Sequence, residues 1–254
     1  MRQVSGGLFE LRPDVNGPGH DRMPWTGGEG KAMRVGIIGA GRIGGNTARL
    51  LAAAGHELRL SFTRDRAQLD RLVAEIGQRA SAASPAEAVG FAQVVVFSVP
   101  WDVIPQALEQ AGPLQGKIVI DTTNQFGAGP MPAAGQTAAQ YNAARMPGAR
   151  YTKSFSTLTS AFQASAARRA GAERVVQWLC GDDTEAKQVV ARLIDDTGFQ
   201  AVDLGGTADC AVTEAPRRPG AVYGEEYRVP DALAVVAAVR AGQPIPPTPG
   251  YYAA

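Results

Sequence analysis

Six consecutive residues, Gly39-Ala40-Gly41-Arg42-Ile43-Gly44, have the spacing of a turn that holds a pyrophosphate. Each glycine has its own physical reason. Gly39 permits a tight turn, Gly41 lets the backbone approach a phosphate, and Gly44 lets a helix pack closely on a strand. The intervening Ala40, Arg42 and Ile43 are cofactor-binding candidates in the same turn, with Arg42 a further charge for a phosphate. The apolar run "RVGIIGA" precedes it, and "RIGGNTARLLAAAGH", with helical spacing, follows. The start of that helix adds free N–H groups and a positive dipole end. A glycine turn with no ligand is the alternative, and the strand-turn-helix setting speaks against it.

The end of the next strand separates two dinucleotides. An NAD site places Asp or Glu there for the ribose 2′-hydroxyl. This chain reads Ser61-Phe62-Thr63-Arg64. No carboxylate precedes Arg64; Thr63 offers a hydroxyl donor and Arg64 a charged fork for a 2′-phosphate. The pattern implies NADP(H). Alternatively, Arg64 caps the next helix or pairs with Asp65.

Other candidates end the later strands. Ser98, Val99, Pro100 and Trp101 follow "VVVF", where ribose and nicotinamide contacts arise, although a core role suits Trp101 equally. Asn124, after Thr122 and Thr123, is placed to bond a nicotinamide amide or a substrate, or to form an Asx turn. Lys153 is the candidate catalytic general acid, with an ordinary surface lysine as the alternative. Tyr223 and Tyr227 are further proton donors, with packing roles as the simpler reading. Asp182 and Asp183 read as cap and first-turn acids of the helix that follows. Cys180 reads as a small buried hydrophobe. The two cysteines fit no ligand spacing and the two histidines are isolated, so no metal site is expected.

The elements that must position these residues alternate. Residues 34–124 give strand, helix, strand, helix, short capped helix, strand, helix, strand. That order specifies an α/β fold, a doubly wound parallel sheet of the Rossmann type. A small C-terminal α/β extension continues through "ARYTKSFST", "RVVQWLCG", "DDTEAKQVVARLIDDTG" and "FQAVDLG"; beyond Gly205 the pattern loosens, apart from one helix over 231–241. The domains expected are a disordered N-terminal extension over 1–32, a dinucleotide-binding domain over 33–150, and a substrate-side portion with a loop-rich tail over 151–254. Residues 1–32 lack the basic start and apolar run of a secretory signal. A net charge of +1 over 254 residues gives no basis for a nucleic-acid or membrane-surface partner. No apolar stretch is long enough to span a bilayer. With both cysteines read as reduced, the expected location is cytoplasmic. The Arg217-Arg218 pair reads either as an attractor of an anionic partner or as solvated loop charge.

Several segments together resemble one family. The glycine-turn start, "FTRD", "VVFSVPWDVIPQAL", "KIVIDTTN", "KSFSTL" and "LCGDDTEAKQVVARLIDDTGFQAVDLG" are similar, in order, to the NADP oxidoreductases that depend on the deazaflavin coenzyme F420. The first half alone also fits ketopantoate-type, imine and pyrroline-carboxylate reductases. The resemblance implies hydride exchange between NADP(H) and the deazaflavin, a reaction that needs proximity and orientation more than acid-base groups. It implies that Thr63 and Arg64 hold the 2′-phosphate, that Ser98, Pro100 and Trp101 border the nicotinamide, and that Lys153 to Leu158 face the acceptor ring. One departure is visible: an "NARLLEP"-like helix of many members is replaced by "GGTADCAVTEAPRRPGAVYGEEYRVP". The open alternatives are therefore a reductase of a small imine, enone or keto substrate and a non-catalytic NADP-binding regulator. A homodimer, with the helix over 231–241 at its interface, is expected to complete the site.

Overall fold

β1 (Arg34–Ile38) and β4 (Val94–Phe97) are apolar runs, and apart from Arg34 every residue of both is buried. Parallel strands covered on both faces need that composition. The computed structural model describes residues 32–62 and 65–252. The stretch 1–31 and the pair Thr63 and Arg64 lie outside the described residues, and with them the expected extension and the two 2′-phosphate residues.

After β1 come α1 (Arg42–Ala53), β2 (Glu57–Ser61), α2 (Arg66–Ile76), β3 (Ala80–Ala82) and α3 (Pro85–Phe91). After β4 come α4 (Ile104–Ala111), β5 (Ile118–Asp121), α5 (Ala138–Ala144), β6 (Arg150–Lys153) and α6 (Ser160–Ala166). The described chain finishes with β7 (Val176–Gly181), α7 (Thr184–Asp196), β8 (Gln200–Gly205) and α8 (Val229–Arg240). The eight strands form one sheet in the order β3-β2-β1-β4-β5-β6-β7-β8. Strand order reverses beside β1, which opens a crevice at the carboxyl ends of β1 and β4.

Two layers of helices cover the sheet. Val89, Ala107, Ala138 and Ala232, from α3, α4, α5 and α8, belong to one core. Ala48, Leu72, Ala166 and Val190, from α1, α2, α6 and α7, belong to the other. Local signals fix the helix ends. Ser84 and Glu87 form a reciprocal capping box on α3, and Thr137 with Gln140 does the same for α5.

Three features differ from the sequence reading. β3 is Ala-Ser-Ala, without the β-branched or aromatic residues that mark strands, yet it pairs with β2 in register Leu58↔Ala80. β7 runs antiparallel to β6, through Thr152↔Gly181 and Lys153↔Cys180, so the last two strands reverse the parallel order. The boundary expected at 150 falls at the first residue of β6, which pairs with β5 on one side and β7 on the other. Among the described residues, no helix is long and apolar enough to cross a membrane.

Candidate cofactor and substrate site

The glycine turn is fastened from β2. Ser61 is fully buried; its carbonyl accepts from Gly39 N at 3.0 Å and Ala40 N at 3.3 Å. Its Oγ donates to Ile37 O at 3.0 Å. Gly39 has φ +99°, and a Cβ there would lie 2.2 Å from the Ser98 carbonyl oxygen. A Cβ at Gly44 would lie 2.1 Å from the Gly39 carbonyl oxygen and 3.0 Å from Ser98 Cβ. Both positions are closed to any side chain. Gly41 is the opposite case, since a Cβ there meets nothing within 4 Å. Gly41 is also the N-cap of α1, no side chain caps that helix, and its first turn holds no acid. The turn therefore offers uncapped N–H groups beside open space, a cradle suited to an anion. Ala40 is buried, Arg42 is exposed and Ile43 is half-buried.

Phe62, the residue after β2, adopts φ +55°. This left-handed backbone is uncommon for a bulky residue and marks local strain. Phe62 lines a cleft of about 400 Å³ with Arg66, Leu69, Pro85 and Gln106. A larger open groove of about 880 Å³ lies near Glu57 and Ala80, at the amino ends of β2 and β3. That is the wrong end of the sheet for a dinucleotide, so we assign the cofactor to the carboxyl end.

At the β4 end, Ser98 is half-buried and its Oγ accepts from Thr122 Oγ1 at 2.8 Å, joining the ends of β4 and β5. Val99 is buried, and one of its methyl groups would lie 2.9 Å from a Cβ at Gly39; Pro100 is exposed at the rim. Trp101 requires a correction. It is 1% exposed, its Nε1 donates to Pro130 O at 2.8 Å, and its ring stacks on Tyr141 at 5.9 Å. The Arg145 guanidinium lies 5.1 Å from the Trp101 ring centre. Its side chain is a core anchor that pins the 126–136 loop, not a cofactor wall.

Asn124 is committed to the protein itself. Its Nδ2 donates to Ser156 O at 2.8 Å, and its Oδ1 accepts from Ala215 N at 3.3 Å. It clasps together three chain segments at the carboxyl edge. Lys153 also departs from both of its sequence readings. It is 1% exposed, so it is not a surface lysine, and its Nζ donates to Thr123 O at 2.5 Å. That ammonium is spent on the main chain at the end of β5. Here Lys153 is a positioning residue, and its expected role as catalytic acid has no geometric support.

Beside it lies a buried network the sequence did not signal. Asp121, fully buried, accepts from Asn142 Nδ2 at 2.7 Å, Tyr151 OH at 2.6 Å and Thr123 N at 2.7 Å. Burial, then the neighbouring Asp121 carboxylate, pushes the Tyr151 phenol well above its ordinary pKa. The network holds the β5 end rigid under the crevice. After β6, Phe155 adopts φ +54° while Ser154 Oγ and Thr157 Oγ1 are buried without hydrogen-bond partners. Strain and unsatisfied hydroxyls thus gather in the one loop that follows β6.

The remaining candidates serve structure. Asp183 is the N-cap of α7 and accepts from Ala186 N at 2.9 Å. Asp182 instead accepts from Thr207 N and Oγ1, fastening the turn after β8. Arg217 pairs with Glu225 at 2.5 Å, and Arg218 donates to the carbonyls of Ala211, Glu214 and Pro216. Cys180 is buried, as the composition of its strand implies. Among the described residues, no group of three or more metal-ligating side chains comes together.

Comparison with known proteins follows this geometry. Residues 34–125, from β1 past the end of β5, match the family model described as NADP oxidoreductase coenzyme F420-dependent. The metalloreductase STEAP3 of Rattus norvegicus is 27% identical over 185 residues. That match covers 73% of this chain and 36% of STEAP3, so the chain spans about a third of that relative's length. A hypothetical protein from Sinorhizobium meliloti is 28% identical, with TM-score 0.68, covering 77% of this chain and 95% of that one. A protein from Arthrobacter sp. FB24, provisionally described as an F420-dependent NADP reductase, is 26% identical with TM-score 0.59. It covers 69% of this chain and 86% of its own. Residues 34–125 are thus similar to a family of NADP-dependent oxidoreductases, and the chain shares a Rossmann-like fold with the Arthrobacter protein.

Proposed function

We propose that the protein transfers a hydride between NADP(H) and a planar second cofactor, the deazaflavin coenzyme F420. The observation that carries the reading is the Gly41 cradle. It is open, uncapped and fastened by Ser61, within the segment that matches the family. The residues fit a dinucleotide. Backbone N–H groups from Gly41 to Gly44 would hold the pyrophosphate. Thr63 and Arg64 would take the 2′-phosphate, and the cleft beside Phe62 the adenine. Ser98, Val99, Pro100 and the end of β5 would border the nicotinamide. When bound, NADPH supplies a hydride, and a proton from solvent completes the two-electron reduction of the acceptor.

The chain's own work is then positional. Lys153 and Asp121 hold Thr123 in place, and Asn124 clasps the loops that flank the acceptor side. Orientation of two rings supplies most of what such a transfer requires. The same reading has the protein act in the cytoplasm as a homodimer; light scattering on the purified chain checks the dimer.

Binding titrations with NADPH and NADH, followed by addition of oxidised F420, test the proposal. Tighter NADPH binding and bleaching of the deazaflavin absorbance support it. Equal affinity for NADH removes the role of Thr63 and Arg64. NADPH binding with a persistent deazaflavin band removes the acceptor assignment and turns the search to imines and ketones.

A further inference from the structure

Two aromatic side chains at the carboxyl edge are left without a role by the foregoing account. Phe126 is 54% exposed, although it is among the largest apolar side chains of the molecule. Its position is not loose, because Phe126 N donates to Asn124 O at 2.8 Å. Tyr223 comes from a distant segment, and its ring lies 6.1 Å from that of Phe126 at 57°. Its neighbour Gly224 donates from N to Thr157 O at 2.9 Å. Asn124 bonds Ser156 O and Ala215 N, so the segments carrying both rings are tied to one loop. The Tyr223 phenol is half-buried, and burial raises its pKa above the ordinary value. It is therefore neutral at physiological pH and presents a ring face rather than a charge.

A single exposed aromatic needs no explanation. A tilted pair held by main-chain bonds at the end of β5 is a different object. Its exposed faces suit offset stacking on a third ring, which two tilted aromatics with complementary edges and faces favour. Stacking on protein aromatics is tolerant of substituents, because every conjugated ring has a π-face. We propose that Phe126 and Tyr223 form an aromatic wall on the acceptor side of the crevice and select acceptors that present a flat conjugated ring. This rests on the reading of the site as a hydride-transfer crevice, and deepens it by naming what sets the acceptor class.

The test uses the full chain saturated with NADP+, and two fluorescent probes, oxidised F420 and riboflavin. Quenching of each probe's fluorescence gives its dissociation constant. Phe126→Ala and Tyr223→Ala are each expected to weaken ring binding by about tenfold, the scale of one aromatic stacking contact. Tyr223→Phe, which keeps the ring, restores it. NADPH affinity and the thermal midpoint report that the cofactor site and the fold remain intact. If all variants bind F420 as the parent does, the wall is overturned while the deazaflavin reading stands. If the parent binds riboflavin but not F420, and the alanine variants lose riboflavin, the wall stands and the deazaflavin reading falls. If the parent binds neither ring, the wall is overturned.

Discussion

The contrast between Gly41→Ala and Gly44→Ala tests the cofactor cradle with a single methyl group. At Gly41 the new Cβ has no protein atom within 4 Å. The change makes the N-cap less favourable by up to about 1 kcal/mol, and the stiffer unfolded chain offsets about 0.4–1 kcal/mol of that. Stability should therefore move by less than about 1 kcal/mol. At Gly44 the new Cβ lies 2.1 Å from a backbone oxygen, so helix and strand must separate. Overpacking of that kind costs about 1–3 kcal/mol or more. The ligand sees the reverse order of importance at Gly41. A methyl in the open cradle displaces the pyrophosphate from the helix N-terminus, and loss of one charged hydrogen bond there is worth about 1.5–3 kcal/mol. NADPH affinity should fall by about 10- to 150-fold. Urea denaturation and a nicotinamide-fluorescence titration measure the two quantities. A Gly41→Ala protein that keeps its stability and binds NADPH within about twofold of the parent refutes the cradle.

Three further outcomes follow from the same structure. Asn124→Ala removes the clasp on Ser156 and Ala215; the acceptor kcat/KM should fall by about tenfold or more, with NADPH affinity changed less than about threefold, as steady-state kinetics will show. His56 is buried, with Nδ1 accepting from Met33 N at 3.1 Å, and burial foremost lowers its pKa although Asp196 opposes this. Its neutral form stabilises the fold above the ordinary imidazole value of about 6.5, and that stability should be lost as pH falls below it; His56→Gln should flatten this part of the thermal-midpoint profile. Asp183, held to about 2 by the Arg150 side chain and then by Ala186 N, contributes stability above its ordinary carboxylate range that is lost as pH drops toward that value. Asp183→Asn should keep the cap and lose the ion pair, whereas Asp183→Ala loses both and should cost about 1 kcal/mol for the cap, read by chemical denaturation.

The alternating half of the fold was legible because its strands are continuous apolar runs and its glycine turn has a spacing only a few structures need. β3 was not, because edge pairing with β2 stabilises a sequence with no strand propensity of its own. The antiparallel β7 was not, since an apolar run reads the same whichever way the strand points. In the site, Gly39, Gly41 and Gly44 could be read singly. Trp101 could not, because a strand-end tryptophan satisfies either role until Pro130, Tyr141 and Arg145 are placed around it. Lys153 looked like an acid or a surface charge because a sequence carries no information about the carbonyl that meets it. Asp121, Asn142 and Tyr151 lie apart in the chain and become a network only when β5, α5 and β6 pack.

Direct hydride transfer between two rings is the central claim, and an isotope follows it without intermediaries. NADPH carrying deuterium at the transferable C4 position is mixed with the protein and oxidised F420 in a single turnover, and the reduced deazaflavin is analysed by mass. The account predicts bleaching of the deazaflavin band with one nicotinamide oxidised per ring reduced, and the deuterium retained in the product. NADPH bound but not oxidised, or deuterium lost to solvent, would contradict it.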